Sequence, residues 1–376
     1  MSLPSLRLAF LTLLLVALLA GCSERTLEPP VTLEGDIFGT FYQVTIAEPI
    51  TAERRDALEE GILAELESVD ASMSTYRDDA ELVAFNHAPV GEWQRLSAPL
   101  VEVLAIARSV AEASDGAFDV TVGGLVNLWS FGPEARPREV PEDALIEARL
   151  AEVGMDTLEL DVEARRARRL KDVFVDLSGV AKGHATDRVA DYLAEQGLEH
   201  YLVNLGGELE VAGFRDGEAE PWRVGVEIPR DGRPQAKYVL PLEATSVATS
   251  GDYRNYFEAD GRRYSHTIDP RTGRPIRHRL ASVTVVDPSN ARADAWATAL
   301  SVLGEREGMA AAREQGLAVL MLVRRGDGWQ SLASPAFAAR FGRDTLAEMG
   351  VEVVDAPLAA ARGNTDVDAG PSDALE

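Results

Sequence analysis

The sequence predicts an α+β fold in a single large mixed domain, which follows an N-terminal export signal and precedes an acidic tail. Its 376 residues are 46% hydrophobic and 26% charged, which is enough apolar material for a large core. Some segments repeat apolar residues at helical spacing, and others alternate as strands do. These helix and strand signals are mixed without a regular βαβ repeat, a pattern typical of α+β proteins.

The first elements lie between residues 37 and 116. Residues 37–46 alternate apolar and polar side chains and predict a strand. A helix is predicted after Thr51, with one apolar face made of Leu58, Ile62, Leu66, Val69 and Met73. A second helix is predicted to begin after Ser97 and to end at Asp115-Gly116.

The second half of the chain is richer in strand signals. The predicted strands are Val173–Val175, 200–205, 222–228, 239–249, 281–286 and the fully apolar run 317–323. Two helices are predicted at 183–196 and 291–303, because Gly197 and Gly304 follow them directly.

The N-terminus has the pattern of a bacterial lipoprotein signal. Arg7 is the only charged residue before Glu24, and the apolar run Leu8–Ala20 is shorter than the roughly 20 residues of a membrane span. The run ends in Leu19–Cys22, where small residues precede the only cysteine of the chain. The alternative is an ordinary signal peptide with an incidental cysteine. We predict a signal peptide at 1–21, lipid on Cys22 and attachment to a bacterial membrane on its periplasmic side.

The predicted boundaries divide the mature chain into three parts. Residues 22–34 are interpreted as a tether, 35–355 as one folded domain and 356–376 as a disordered acidic tail. The formal charge of −25 repels phosphate backbones, so nucleic-acid binding is not expected.

A first candidate site lies in residues 175–185, where a strand leads through a glycine-containing turn into a helix. Backbone N–H groups at a helix start favour anions, and Lys182 adds a positive charge. Asp176 stands at the end of the strand. The pattern indicates a phosphate-binding turn, although a plain strand–turn–helix with Lys182 in solvent is equally compatible.

A second candidate site is the pair Asp294 and Thr298. They are four residues apart in the predicted helix 291–303 and therefore share one face. A carboxylate and a hydroxyl are hard oxygen ligands of the kind that Mg²⁺ prefers. Without an ion, they would be an ordinary polar pair, but the helix around them is rich in alanine.

Two further segments carry candidate residues. His266 precedes a turn at Asp269-Pro270 and is a candidate general base, although a lone histidine is more often structural. The glycine-rich segment 116–132 carries Phe118, Trp129 and Phe131, which suit either a planar aromatic ligand or the core.

In this order, the segments resemble the FAD:protein FMN transferase (ApbE-type) lipoprotein family. The resemblance covers roughly residues 35 to 345, and many family members carry a lipobox. The matching motifs are Gly39–Tyr42, Met73–Tyr76, Gly116–Asp119, Asp176–Gly183, Val203–Gly207, Ala248–Phe257, Tyr264–Pro270 and Ala293–Thr298.

The resemblance implies a reaction and an ApbE-like, T-fold-like domain over 35–355. Members use Mg²⁺ to cleave FAD, release AMP and attach FMN to a threonine or serine hydroxyl of an acceptor. Typical acceptors are domains of membrane redox complexes. Two alternatives stay open: an FAD pyrophosphatase giving FMN and AMP, and a non-catalytic lipid-anchored flavin-binding protein.

The resemblance also implies roles for individual residues. His266 is the base for the acceptor hydroxyl. The metal ligands are Asp294, Thr298 and the backbone carbonyl of Gly179. The FAD contacts are Tyr76, Ala117, Phe118, Asp119, Asp176, Lys182 and Ile268. The chain departs from the family pattern at Phe38, Val120, Gly124, Ser130 and His184, the last of which stands where an aromatic residue is usual.

Overall fold

The computed structural model describes residues 26–134, 136–228, 235–251 and 255–358. The predicted signal peptide 1–21, the lipid site Cys22 and most of the predicted tail 356–376 lie outside these ranges. Within them, no helix combines the length and the apolar character that crossing a bilayer requires.

Four of the helices have 15 or more residues, and these four pack together. The helices are α1 Ala52–Met73, α2 Glu81–His87, α3 Ala98–Ala113, α4 Gly123–Leu128, α5 Asp143–Leu150, α6 Ala181–Glu195, α7 Asn290–Glu314, α8 Pro335–Phe341 and α9 Arg343–Glu348. The side chains of Thr51, Ser97 and Ser289 cap α1, α3 and α7, because each accepts a hydrogen bond from a backbone N–H of the first turn.

The strands form one large sheet and several small ones. They are β1 Thr26–Leu27, β2 Val31–Ile37, β3 Thr40–Ile46, β4 Ile50–Thr51, β5 Gln94–Arg95, β6 Leu158–Asp161, β7 Arg166–Arg169, β8 Tyr201–Leu205, β9 Glu208–Ala212, β10 Trp222–Glu227, β11 Ala236–Leu242, β12 Thr245–Gly251, β13 Tyr256–Ala259, β14 Arg262–Ser265, β15 Ile268–Asp269, β16 Arg274–Pro275, β17 Leu280–Asp287, β18 Ala318–Arg325, β19 Gly328–Ala333 and β20 Val351–Val353.

The large sheet has nine strands in the order β2-β3-β8-β9-β12-β17-β18-β19-β20. All neighbours are antiparallel except β19 and β20, which are parallel. In the centre, Ala248 of β12 pairs with Val285 of β17, and Val283 of β17 pairs with Met321 of β18. The mixed arrangement confirms the predicted α+β class.

Both faces of the large sheet are covered. On β18, Val319, Met321 and Val323 pack in the main core with the long helices, while Leu320 and Leu322 pack in a second core beneath β10, β11 and α8. Successive side chains of a strand point to opposite faces, so a strand buried on both sides is apolar throughout. This explains the uninterrupted apolar run predicted at 317–323.

A third, smaller core supports the loops outside the sheet. Trp129 stacks on Tyr264 with ring centroids 5.6 Å apart, and Tyr264 stacks on Phe257 at 5.2 Å. Leu125 and Ile268 complete this cluster. It joins α4 to the small hairpins β13–β14 and β15–β16. Trp129 therefore packs in a core, one of the two roles that its sequence context allowed.

Several predicted boundaries differ from the structure near the N-terminus. Residues 37–46 do not form one strand, because Phe38 and Gly39 take positive φ angles of 53° and 70° and turn the chain between β2 and β3. Strand β2 begins at Val31, inside the segment interpreted as a tether. Val31 and Leu33 are buried and pair with Ile46 and Val44, which draws this segment into the sheet.

Other differences lie nearer the centre of the chain. The predicted strand 239–249 is wrong, because its two halves belong to different sheets, β11 and β12. The predicted strand Val173–Val175 is reduced to a single bridge between Phe174 and Val122. The helix predicted at 291–303 is confirmed up to Gly304, whose φ of 75° is not helical, and a second helical stretch that was not predicted follows it to Glu314.

Candidate active site

The candidate site is a cavity of about 360 Å³ between the helices that cover the sheet and the segment between β14 and β15 that carries His266. Ten of the predicted residues line it: Ala117, Phe118, Asp119, Asp176, Gly179, Lys182, His266, Ile268, Asp294 and Thr298. Tyr76 lines an adjoining cavity of about 740 Å³. The two cavities share Asp176 and Lys182 in their linings, so they adjoin, and the two together are called the cleft.

Asp294 is positioned by the close contact between α6 and α7. A Cβ on Gly183 would lie 2.5 Å from the carbonyl oxygen of Asn290, so only glycine allows the two helices to approach this far. Gly183 N donates to Asp294 Oδ2 at 3.1 Å. Asp187 of α6 accepts from the N–H groups of Asn290 and Ala291 at 2.5 and 3.0 Å, which fixes the start of α7.

Lys182 lies between two buried carboxylates. Its Nζ is 2.5 Å from Glu208 Oε1 and 3.8 Å from Asp294 Oδ2. Burial lowers the pKa of Lys182, but the charges of Asp294 and Glu208 outweigh it and raise that pKa above its ordinary value. Lys182 is therefore a fixed positive charge in the first turn of α6, where the helix start also favours anions.

The residues proposed to hold a metal ion fit Mg²⁺. Asp294 is 3% exposed and lines the cavity, and Thr298 lies one turn further along α7. A Cβ on Gly179 would be 3.3 Å from Thr298 Oγ1, so the backbone of Gly179 passes beside that hydroxyl. Within the described ranges, no three His, Cys, Asp or Glu residues form a metal cluster. Mg²⁺ typically binds a few hard oxygen ligands of the protein and completes its coordination shell with water and phosphate oxygens.

His266 is oriented by the backbone of Asn255. Its Nδ1 lies 2.9 Å from the carbonyl oxygen of Asn255, and its backbone N donates to the same oxygen at 3.1 Å. A carbonyl oxygen only accepts, so Nδ1 carries the proton in the neutral ring. Nε2 is then the ring atom that can take a proton, as a general base requires.

Of the residues expected to contact the flavin, Phe118 and Asp119 line the same cavity as Asp294, whereas Tyr76 lines the adjoining one. Phe118 is buried and its backbone N donates to Ser114 Oγ. Asp119 accepts hydrogen bonds from the backbone N and hydroxyl of Thr121 at 2.8 and 2.6 Å, while burial raises its pKa. Tyr76 is 72% exposed, and an exposed ring at the rim is suited to stacking on a planar ligand.

Sequence reasoning missed several residues of the cavity. Glu208 directly follows the motif Val203–Gly207, and Thr249 and Ser250 lie in the motif Ala248–Phe257. Ser250 Oγ lies 3.3 Å from Thr298 Oγ1. An acidic residue directly after a Gly-Gly turn was the signal that could have identified Glu208.

The fold and the cavity define a class of protein: an α+β domain with a cleft suited to a phosphate ester and a divalent cation. The model of the ApbE family matches residues 38–321. This chain belongs to the ApbE family, as its motifs indicated.

Curated relatives agree with this assignment. The FAD:protein FMN transferase of Vibrio cholerae (strain ATCC 39541) is 45% identical over 322 residues, which cover 85% of this chain and 95% of that protein. The FAD:protein FMN transferase of Escherichia coli K12 is 39% identical over 339 residues, covering 86% and 95%.

Solved structures are similar over the same region. The flavin transferase ApbE from Vibrio cholerae matches with a TM-score of 0.75 and 41% identity, covering 84% of this chain and 99% of that one. The apo form of the flavinyl transferase ApbE from Pseudomonas stutzeri matches with a TM-score of 0.76 and 37% identity, covering 85% and 98%.

Proposed function

We propose that this protein is an Mg²⁺-dependent FAD:protein FMN transferase. It moves FMN from FAD to a threonine or serine hydroxyl of an extracytoplasmic acceptor, such as a domain of a membrane redox complex, and releases AMP. The observation that carries the proposal is that Lys182, Asp294, Thr298 and His266 line one cavity. Flavin binding alone requires no general base next to a cation site.

The residues around Lys182 and Asp294 hold the pyrophosphate of FAD. Lys182 and the start of α6 neutralise its negative charge, and Phe118 and Tyr76 contact the flavin side. Asp294, Thr298 and the backbone carbonyl of Gly179 would hold Mg²⁺, which would supply charge neutralisation for the pyrophosphate. Phosphoryl transfer depends mainly on such positioning, because little covalent chemistry is left to the protein.

His266 acts on the acceptor. As the hydroxyl oxygen forms its bond to the FMN phosphorus, Nε2 of His266 takes the hydroxyl proton. The bond between that phosphorus and the bridging oxygen breaks, and its electron pair leaves with AMP. The products are a phosphoester-linked FMN, AMP and a protonated imidazole, which returns its proton to water.

Mass spectrometry of a candidate acceptor tests this proposal. The protein is incubated with FAD, Mg²⁺ and a threonine-containing acceptor domain, and AMP is measured in the same samples. We expect the acceptor to gain one FMN for each AMP released. AMP and FMN released with an unmodified acceptor would identify an FAD pyrophosphatase instead, and intact FAD would exclude both activities.

We also propose that lipid on Cys22 anchors the protein to a bacterial membrane, facing the periplasm. The support is the sequence Leu19–Cys22 after an apolar run. A shared membrane surface would raise the effective concentration of a membrane-bound acceptor. Mass spectrometry of the purified N-terminal peptide should show acyl chains on Cys22. A Cys22→Ala protein that still partitions with membranes would contradict the anchor.

A further inference from the structure

Glu208 has no role in the proposed reaction, yet it lies at the wall of the active-site cavity. It begins β9 and is only 3% exposed. Its Oε1 lies 2.5 Å from Lys182 Nζ, whereas its Oε2 is buried and accepts no hydrogen bond from any described residue. Leaving a buried acceptor unpaired costs free energy, so stability alone does not account for a glutamate here.

The ammonium group of Lys182 is shared unequally between two carboxylates. It is in contact with Glu208 but 3.8 Å from Asp294 Oδ2. The same Asp294 oxygen accepts from Gly183 N. If Lys182 moved the short remaining distance to Asp294, its positive charge would occupy the place of a divalent cation on that carboxylate.

We propose that Glu208 is a positioning residue that holds Lys182 away from Asp294 and so leaves this carboxylate available to a divalent cation. The inference rests on the proposed metal role of Asp294 but does not depend on flavin transfer. Glu208 and Lys182 form a charge-neutral pair beside the cation site. Lys182 can then contact the phosphate without competing for the metal ligand.

Binding of Mn²⁺ in the absence of FAD tests this inference, with free Mn²⁺ followed by its EPR signal. Glu208→Gln keeps the shape of the side chain but removes the charge that attracts Lys182. We expect it to weaken Mn²⁺ binding by about tenfold or more, the scale of changes around metal ligands. Mn²⁺ binding equal to that of the wild-type protein would overturn the inference.

A double variant separates positioning from direct ligation. In Glu208→Gln/Lys182→Met there is no ammonium group to compete for Asp294, so Mn²⁺ affinity should return to at least the wild-type value. If the double variant binds as weakly as Glu208→Gln alone, Glu208 is itself a metal ligand and the inference is wrong.

Lys182→Met alone provides an independent test if Glu208→Gln does not fold, which circular dichroism would reveal. We expect this variant to bind Mn²⁺ more tightly than the wild-type protein does. Equal or weaker binding would contradict competition by Lys182, and a wild-type protein that binds no Mn²⁺ would contradict the proposal that Asp294 is left available to a cation. If the Mn²⁺ affinities are as expected but no flavin transfer is observed, only the proposed function is overturned.

Discussion

The cavity has two walls of different construction. The inner wall, formed by the turn Asp176–Lys182, α6, α7 and Glu208, belongs to the main core and lies against the nine-stranded sheet. The outer wall, residues 255–276, consists of the hairpins β13–β14 and β15–β16, and within the described residues the strands of each hairpin pair only with each other. It rests on its own small core, which includes Trp129 and Tyr264.

This difference matches the two tasks of the proposed reaction. Charge neutralisation works best when the charged groups are fixed before the substrate binds, and the inner wall fixes them between two packed helices. An acceptor protein has to enter and leave, and segments with few core contacts open more easily than core elements do. We therefore expect variants of the two walls to separate cofactor handling from acceptor modification.

The largest effect should come from the inner wall. Asp294→Ala removes the only carboxylate proposed to bind the cation, so transfer and FAD cleavage should both fall by about a thousandfold or more. AMP release measures FAD cleavage, and the mass of the acceptor measures transfer. The matched control is Asp327→Ala, which changes an exposed aspartate in the β18–β19 turn and should leave the rates unchanged. Equal rates for the two variants would contradict the metal role.

Loss of the His266 imidazole on the outer wall should affect transfer but not metal binding at the inner wall. His266→Ala should lower transfer by about a hundredfold, a typical contribution of a general base. Mn²⁺ affinity should stay unchanged, because no metal ligand is altered. His87→Ala, at an exposed histidine outside the cavity, is the matched control. A parallel loss of metal binding in His266→Ala would show that the walls are not independent.

A smaller effect is expected at Thr298. Thr298→Val keeps the shape of the side chain but removes the hydroxyl, so Mg²⁺ should bind about tenfold more weakly. Thr298→Ser keeps the hydroxyl and should bind nearly as the wild-type protein does. Calorimetric titration with Mg²⁺ measures both variants, and identical affinities would remove Thr298 from the set of ligands.

The support of the outer wall can be weakened at Trp129. Its Nε1 donates to the carbonyl oxygen of Gly273 at 2.8 Å, and Trp129→Phe leaves that buried oxygen unpaired, at a cost of about 1–3 kcal/mol. We expect transfer to fall about threefold to tenfold with no change in Mn²⁺ affinity. Trp93→Phe, outside the cavity, is the control. Unchanged transfer in Trp129→Phe would contradict the supporting role.

His184 should affect stability and leave transfer unchanged. Burial, with the nearby charge of Arg188, lowers the pKa of His184 from 6.5 to about 4. Between these pH values the unfolded chain binds a proton that the folded chain does not, so acidification favours unfolding. The pKa difference corresponds to about 3 kcal/mol.

His184→Phe should therefore make the free energy of unfolding fall less steeply between pH 6.5 and pH 4. Denaturant unfolding of both proteins across this range measures the difference. Parallel pH profiles for the two proteins would contradict the lowered pKa.

The sequence predicted the inner wall better than the outer wall. Helix periodicity placed Asp294 and Thr298 on one face, and the glycine-containing turn placed Lys182 at a helix start. These are local signals. The contact of Gly183 with Asn290 and the pairing of Lys182 with Glu208 join segments far apart in the chain, so no local pattern could reveal them.

The ends of predicted strands were wrong where tertiary contacts override the local sequence pattern. Residues 239–249 resemble one strand in sequence, but their two halves belong to different sheets. Residues 37–46 alternate apolar and polar side chains, but the chain turns at Phe38 and Gly39, so β3 runs antiparallel beside β2. The role of His266 came from family resemblance, because a single histidine before a turn carries little information by itself.

Native-state hydrogen exchange tests the contrast between the walls most directly. We predict that amides in the centre of α7, such as that of Ala297, exchange only through global unfolding. The amides of His266 and Ile276, which donate to Asn255 and Thr267, should exchange through a local opening of lower free energy. Equal exchange free energies for both sets would contradict a fixed inner wall facing an outer wall that opens.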